Sequence, residues 1–131
     1  MYLADANIWI EGLLEQERAP ETADFFRKAG SSQLAITDFA LFSIALLLSR
    51  LKRNDVLDSF IADVILGNRV MVLRLNPTHL RLVLPIMRSL GLDFDDAYHY
   101  LAAQEFGCTI LSYDAHFDKT PLGRKAPGDI I

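Results

Sequence analysis

The sequence predicts an α/β fold, a three-layer α/β/α sandwich around a mostly parallel sheet of four to five strands. Short apolar, strand-like runs alternate with longer amphipathic runs along all 131 residues. Such alternation is typical of a parallel sheet that is covered by helices on both faces. The length suits one hydrophobic core, so we expect residues 1–131 to form a single domain.

The residue pattern in the first half of the chain predicts two strands and four helices. The helices begin near polar residues or proline and end near glycine or polar stretches, as helix termini commonly do. Thr37 is the expected N-cap of the apolar helix that follows the second strand. In chain order we expect a strand at 1–4, helices at 8–14 and 20–29, a strand at 34–36, and helices at 37–51 and 54–67.

The residue pattern in the second half of the chain predicts two further helices between strands. Gly91 and Gly107 each follow a predicted helix, where glycine commonly terminates one. Pro85 falls inside the first of these helices and predicts a kink near residues 82–84, or alternatively a loop. In chain order we expect a strand at 70–75, helices at 77–90 and 92–106, a strand at 109–111 and a short last strand at 130–131.

Composition restricts the class of protein. Hydrophobic residues make up 51% of the chain, which predicts a folded globule rather than a disordered segment. The single cysteine, Cys108, excludes an internal disulfide, and the first residues lack a basic stretch followed by an apolar run. We therefore expect a cytoplasmic protein without a membrane anchor. The net charge of −4 argues against nucleic-acid binding unless the acidity is concentrated in a cation site.

Acidic residues stand where the predicted strands end. Asp5, Asp38 and Asp114 each follow an apolar strand-like run, and the pair Asp95-Asp96 opens a helix-like run. The carboxyl ends of parallel strands meet at one edge of a sheet, so these side chains are expected to converge in a crevice. Clustered carboxylates repel one another, and a hard divalent cation with oxygen ligands relieves that repulsion. The pattern therefore predicts a metal site.

Three segments resemble, in order and spacing, the motifs of the PIN domain, the small α/β nuclease fold of VapC-type toxins. The first segment is Met1-Tyr2-Leu3-Ala4-Asp5-Ala6-Asn7-Ile8-Trp9. The second is Asp96-Ala97-Tyr98-His99-Tyr100-Leu101-Ala102. The third is Leu111-Ser112-Tyr113-Asp114-Ala115-His116-Phe117, similar to the family's strand that ends in Thr/Ser-x-Asp-x-x-Phe.

The resemblance implies a set of site residues. Asp5, Asp96 and Asp114 are then the catalytic, metal-binding acids for one or two Mg²⁺ or Mn²⁺ ions. Asn7 and Ser112 are implied to support them by orienting an acid or a ligand, and Thr37 and Ser43 are the other two supporting candidates.

The implied activity is that of a metal-dependent endoribonuclease. It hydrolyses RNA phosphodiesters and leaves a 3′-hydroxyl and a 5′-phosphate. The resemblance also implies the toxin component of a VapBC-type toxin–antitoxin pair, with an antitoxin protein as partner and a homodimeric assembly.

One position departs from the family pattern. Counting from Thr37, which ends the second predicted strand, the residue where the family usually carries Glu is Ser43. Three other acids are candidates to compensate: Glu11, Asp38 and Asp95. The alternative hypothesis is a catalytically weak or inactive PIN-like module that binds RNA or a protein.

Several other residues favour a structural role. His99 lies four residues after Asp95, a spacing that suits an ion pair, and His116 follows Asp114 too closely to be given a function. Phe39, Phe42 and Leu46 have helical spacing and are predicted to be core. The apolar residues around Trp9, Leu13, Leu14 and Phe25-Phe26 are either core or a surface for a second copy or a partner's helix.

Overall fold

The computed structural model describes residues 1–30 and 33–130. Within these ranges the sheet consists of β1 (Tyr2–Ala4), β2 (Leu34–Thr37), β3 (Met71–Leu73) and β4 (Thr109–Leu111). All neighbouring strands are parallel, and their order across the sheet is β3-β2-β1-β4. The register pairs Leu3 of β1 with Ala35 on one side and with Ile110 on the other. The predicted parallel sheet is confirmed, with four strands.

The helices of the described residues follow the predicted order. They are α1 (Ala6–Leu13), α2 (Ala19–Ala29), α3 (Asp38–Arg50), α4 (Asn54–Ser59), α5 (Pro77–Leu90) and α6 (Phe94–Phe106). A π-helix, Phe60–Leu66, continues α4, and the 3₁₀ turns Ala115–Lys119 and Pro127–Asp129 follow β4. Every one of these helices is too short or too polar to cross a bilayer.

Each face of the sheet carries its own hydrophobic core, because alternate residues of a strand point to opposite faces. Leu3 and Ile110 pack on the side of α5 and α6, whereas Ala4 and Leu111 pack on the side of α1 to α4. All four side chains are almost completely buried. The three-layer α/β/α architecture predicted from the sequence is therefore confirmed.

Local sequence signals explain where two of the helices begin. The Thr37 hydroxyl accepts a hydrogen bond from the Ala40 N–H at 3.0 Å and caps α3 as predicted. Asn76 caps α5 in the same way, through the His79 N–H at 2.9 Å.

Helix α5 continues through Pro85, so the alternative of a loop there is wrong. Proline has no N–H, so the carbonyl of Arg81 lacks its usual helical donor at position 85. Both residues are exposed, and water is therefore able to bond that carbonyl.

The exposed face of α3 corrects another prediction. Phe39, Phe42 and Leu46 are 36%, 66% and 52% exposed, so they do not form the core. The buried face of the same helix consists of the smaller stripe Ala40, Ile44 and Leu48. Both stripes have helical spacing, and periodicity alone does not show which of two apolar faces meets the sheet.

The end of the chain also differs from the prediction. Ile130 follows a 3₁₀ turn that begins at Pro127, and it is not part of a strand; Ile131 lies outside the described residues. The neighbour of β4 on this side is Lys125, which forms a single parallel bridge with Leu111. Pro127 has no N–H for a sheet ladder, which explains why the pairing stops so early.

We expect Thr37→Val to lower the free energy of unfolding by about 1–2 kcal/mol, because the buried Ala40 N–H loses its partner. Urea denaturation measures this change. Ser43→Ala, at an exposed position of the same helix, is the control and should have little effect. Equal stabilities for wild type and Thr37→Val would contradict the importance of the cap.

Candidate metal centre

The crevice lies where the chain reverses its direction across the sheet. The chain passes from β1 to β2 to β3 on one side, and β4 then joins β1 on the other side. Ligands of open α/β sheets bind outside the carboxyl ends of the strands at such a switch point. Asp5 follows β1 and Ser112 follows β4, so both stand at this crevice.

A network of hydrogen bonds joins these two strand ends. The Ser112 hydroxyl donates to Asp5 Oδ2 at 2.8 Å and accepts from the Asp114 N–H at 2.9 Å. The Asn7 amide donates to the Ser112 hydroxyl at 3.2 Å, and its oxygen accepts from the Tyr113 N–H at 3.1 Å. Asn7 and Ser112 therefore position Asp5 and the loop that carries Asp114.

Two of the predicted acids meet at the mouth of the crevice together with a histidine. The His116 Nδ1 atom lies 3.1 Å from Asp114 Oδ1 and 3.7 Å from Asp96 Oδ2. One ligand atom from each of these three residues lies within 4.8 Å of the others. Asp5 lies outside this group of three, and its carboxylate accepts hydrogen bonds from the Ser112 hydroxyl and from the Ala6 N–H.

Helix α6 places Asp96 in its first turn. The seven residues that follow, Ala97 to Ala103, are all buried, so the helix is held on nearly every side. The side chain of Asp96 is only 13% exposed although it carries a carboxylate. Its position is therefore set by the packing of the whole helix.

The surroundings of Asp96 disfavour its charged form. Burial, followed by repulsion from the carboxylates of Asp95, Asp5 and Asp114, raises the pKa of its carboxyl to about 6, while His116 opposes this rise. Asp5 is one of the charges that raise this pKa, although it lies outside the group of Asp96, Asp114 and His116. A cation among these groups would remove the repulsion and favour the ionised form.

A small cavity of about 80 Å³ opens beside Asp5, between α3 and α6. Its lining residues are Asp5, Ala6, Thr37, Phe39, Ala40, Ser43, Asp95 and His99. Ser43, the position that departs from the family pattern, therefore shares this cavity with two carboxylates.

His99 has a structural role at the base of this cavity. Its Nε2 lies 3.2 Å from the carbonyl of Leu3, which only accepts, so the imidazole donates from Nε2. Burial lowers the pKa of His99, and the ring is therefore neutral near pH 7. The ring contacts that of Phe117 at 5.8 Å between centroids and supports the loop that follows β4.

The other candidate acids lie elsewhere. Asp38 accepts a hydrogen bond of 2.6 Å from the Tyr98 hydroxyl, which raises the pKa of that tyrosine, together with its burial, to about 12. Glu11 accepts the Arg18 N–H at 2.9 Å. Among the three compensating candidates, only Asp95 lines the cavity beside Asp5 and Ser43.

The fold and site together define a parallel α/β protein with an acidic crevice at its switch point. The PIN domain family model matches residues 2–122 of the chain, and the chain therefore belongs to the PIN domain family. This membership confirms the resemblance seen in its three sequence segments. No curated protein matches the chain.

Solved structures of low sequence identity share this fold. A structure of FitAB bound to an IR36 DNA fragment has 14% identity and a TM-score of 0.82, covering 97% of this chain and 95% of that one. FitAcB from Neisseria gonorrhoeae has 17% identity and a TM-score of 0.73, with coverages of 98% and 99%. PAE2754 from Pyrobaculum aerophilum has 20% identity and a TM-score of 0.70, with coverages of 98% and 90%.

The raised pKa of Asp96 predicts a pH-dependent stability of the metal-free protein. Its folded-state pKa of about 6 exceeds the ordinary value of 3.8, so its contribution is fully present below pH 3.8 and is lost as the pH rises through about 6. We expect the stability of wild type relative to Asp96→Asn to fall by on the order of 2 kcal/mol across this interval.

Urea denaturation in the presence of a chelator, repeated across this pH interval, measures the difference. Asp58→Asn removes a carboxylate from an exposed position of α4 and controls for the substitution itself. A difference between wild type and Asp96→Asn that stays constant with pH would contradict the assigned environment of Asp96.

Proposed function

We propose that this protein is a Mg²⁺- or Mn²⁺-dependent endoribonuclease and the toxin of a toxin–antitoxin pair. The observation that carries the proposal is the grouping of Asp96 and Asp114 at the switch point of a PIN domain, beside Asp5 at the end of β1. Burial, followed by repulsion from the neighbouring carboxylates, raises the pKa of Asp96 there. Carboxylates held this close together are destabilised without a cation. Their arrangement therefore suits metal binding better than a purely structural role.

The donor set fits a hard divalent ion. Asp96 and Asp114 offer carboxylate oxygens within one group, and Asp5 lies close enough to influence the charge of Asp96. Mg²⁺ needs few carboxylates because it retains several waters and shares substrate oxygens. When bound, such an ion withdraws electron density from phosphate oxygens and makes water a better nucleophile near neutral pH.

The protein's own groups have distinct tasks in this proposal. Asp96 and Asp114 would hold the cation, and its positive charge would favour the ionised form of Asp96. Asp5 adds negative charge at the end of β1. Hydrogen bonds through Ser112 and Asn7 hold the Asp5 carboxylate next to the loop that follows β4. The RNA is hydrolysed at a phosphodiester and leaves a 3′-hydroxyl and a 5′-phosphate.

Asp95 is the residue that we propose compensates for Ser43. Both line the cavity beside Asp5, so Asp95 on α6 supplies an acidic residue to the cavity in which α3 carries Ser43. The Asp95 carboxylate accepts only its neighbour's N–H, Asp96 N–H at 3.0 Å, among the described residues, and it remains available to the cavity.

Two apolar surfaces support the proposed protein partners. The exposed stripe Phe39, Phe42 and Leu46 on α3 suits a homodimer. A cavity of about 460 Å³ between α1, α2 and the π-helix, lined in part by Trp9, Phe26 and Val64, suits an apolar segment of an antitoxin. Trp9 and Phe25 are themselves buried and belong to the core.

The second candidate function is a PIN-like module that binds RNA or a protein without cleaving it. Ser43 favours this candidate, because it removes one carboxylate from the cavity beside Asp5. Arg124, a basic residue beside the end of β4, is already bound to Asp118 and to the Ser112 carbonyl. Retained RNA binding without cleavage at saturating Mn²⁺ would select this candidate.

We expect calorimetric titration of Mn²⁺ to show saturable binding to wild type and none to Asp114→Asn, because that variant removes one of the two grouped carboxylates. Asp58→Asn is the matched control and should bind as wild type does.

The same proteins incubated with single-stranded RNA and Mn²⁺ should cleave it, except for Asp114→Asn. Single-stranded DNA serves as a parallel substrate, since FitAB has been seen with DNA. Unchanged binding in Asp114→Asn would refute the site.

Asp95→Asn should lower RNA cleavage at least about tenfold if its carboxylate contributes to the site. Asp93→Asn removes the same charge from the start of the same helix, where Asp93 is exposed and lies outside the cavity lining, and it is the matched control. Equal activities of the two variants would show that Asp95 acts only through general helix-terminus electrostatics. Ser43→Glu in the Asp95→Asn background should restore part of the activity.

A further inference from the structure

We infer that His116 is a nitrogen ligand of the proposed metal centre and shifts its preference from Mg²⁺ towards transition-metal ions. The inference rests on the proposed function, because it concerns the same ion. It assigns a role to a residue that the sequence motif does not assign. It also predicts a property, metal selectivity, that the carboxylates alone would not confer.

The position of the His116 ring is the first observation. Its Nδ1 atom lies within 4.8 Å of oxygen atoms from both Asp96 and Asp114, so one ion is able to reach all three. The ring lies 3.1 Å from the Asp114 carboxylate and 3.7 Å from that of Asp96. Two oxygens and one nitrogen are thus close enough together to share one ion.

The loop that carries His116 is held on both sides. The His116 N–H donates to Asp114 Oδ1 at 2.8 Å, which fixes the start of the 3₁₀ turn. The next residue, Phe117, is completely buried and anchors the turn in the core. Asp118 then forms a two-pronged ion pair with Arg124, whose guanidinium also donates to the Ser112 carbonyl at 3.1 Å. These contacts give the loop a defined backbone. The ring of His116 is exposed on this loop and is accessible to ions.

The chemistry of the third ligand determines the preference. Carboxylate and water oxygens suit Mg²⁺, whereas imidazole nitrogen favours later first-row ions such as Co²⁺ and Zn²⁺. A site with one histidine and two aspartates should thus discriminate among divalent ions more strongly than a site of aspartates alone. Removal of the imidazole should reduce this discrimination rather than abolish binding.

The test compares Mg²⁺, Mn²⁺ and Co²⁺ binding to purified wild type and His116→Ala by calorimetry at about pH 7.5, where a free imidazole is mostly neutral. We expect His116→Ala to weaken Co²⁺ at least about tenfold and Mg²⁺ less than about threefold. His79→Ala is the matched control, because among residues 1–30 and 33–130 a single carboxylate, that of Glu105 at 3.8 Å, pairs with His79. It should leave all three affinities unchanged.

Pulsed EPR of the Mn²⁺-loaded protein gives a second readout that is independent of activity. A directly bonded imidazole produces a nitrogen hyperfine coupling, which should be present in wild type and in His79→Ala and absent in His116→Ala. A histidine that only orients Asp114 would not produce this coupling, so its absence from wild type overturns the inference.

The possible failures are distinguishable. If His116→Ala keeps the wild-type ratio of Co²⁺ to Mg²⁺ affinity while Asp114→Asn abolishes binding, the inference is wrong and the proposed metal site stands. If wild type binds none of the three ions, both are wrong. Thermal denaturation of His116→Ala and of the shape-preserving variant His116→Gln confirms that any loss of binding occurs in folded protein.

Discussion

The hydroxyl of Ser112 is the interaction on which the geometry of the site depends. It donates one hydrogen bond, to Asp5, and accepts two, from Asn7 and from the Asp114 N–H, which uses its full bonding capacity. Ser112 is completely buried, so none of these bonds competes with water. One small side chain therefore joins the ends of β1 and β4, the two strands that form the switch point.

Electrostatic repulsion is the opposing constraint. The network holds Asp5 and Asp114 close to Asp96, and packing along α6 prevents Asp96 from moving away. The site is thus strained in charge rather than in backbone geometry, and the pKa of Asp96 records the strain. A protein that maintains such an arrangement loses stability near neutral pH, and cation binding is the physical process that recovers it.

Particular residues show what could be predicted from the sequence. Asp5 and Asp114 follow apolar runs, and because strand polarity is set by the chain direction, their place at one sheet edge was predictable. The caps at Thr37 and Asn76 were predictable because their hydrogen bonds span only three residues. His116 was not assigned, since its nearness to Asp96 depends on how a turn after β4 meets the start of α6.

The sequence by itself determined the order of strands and helices, the family and the positions of the acids along the chain, because these depend on local periodicity and short motifs. Only the tertiary structure decided which apolar face of α3 is buried, that Asp95 rather than Glu11 or Asp38 stands beside Ser43, and that a histidine joins two of the acids. Those relations are set by the packing of α3, α6 and the β4 loop against one another. Contacts between segments far apart in the chain leave no trace in the local pattern of any one of them.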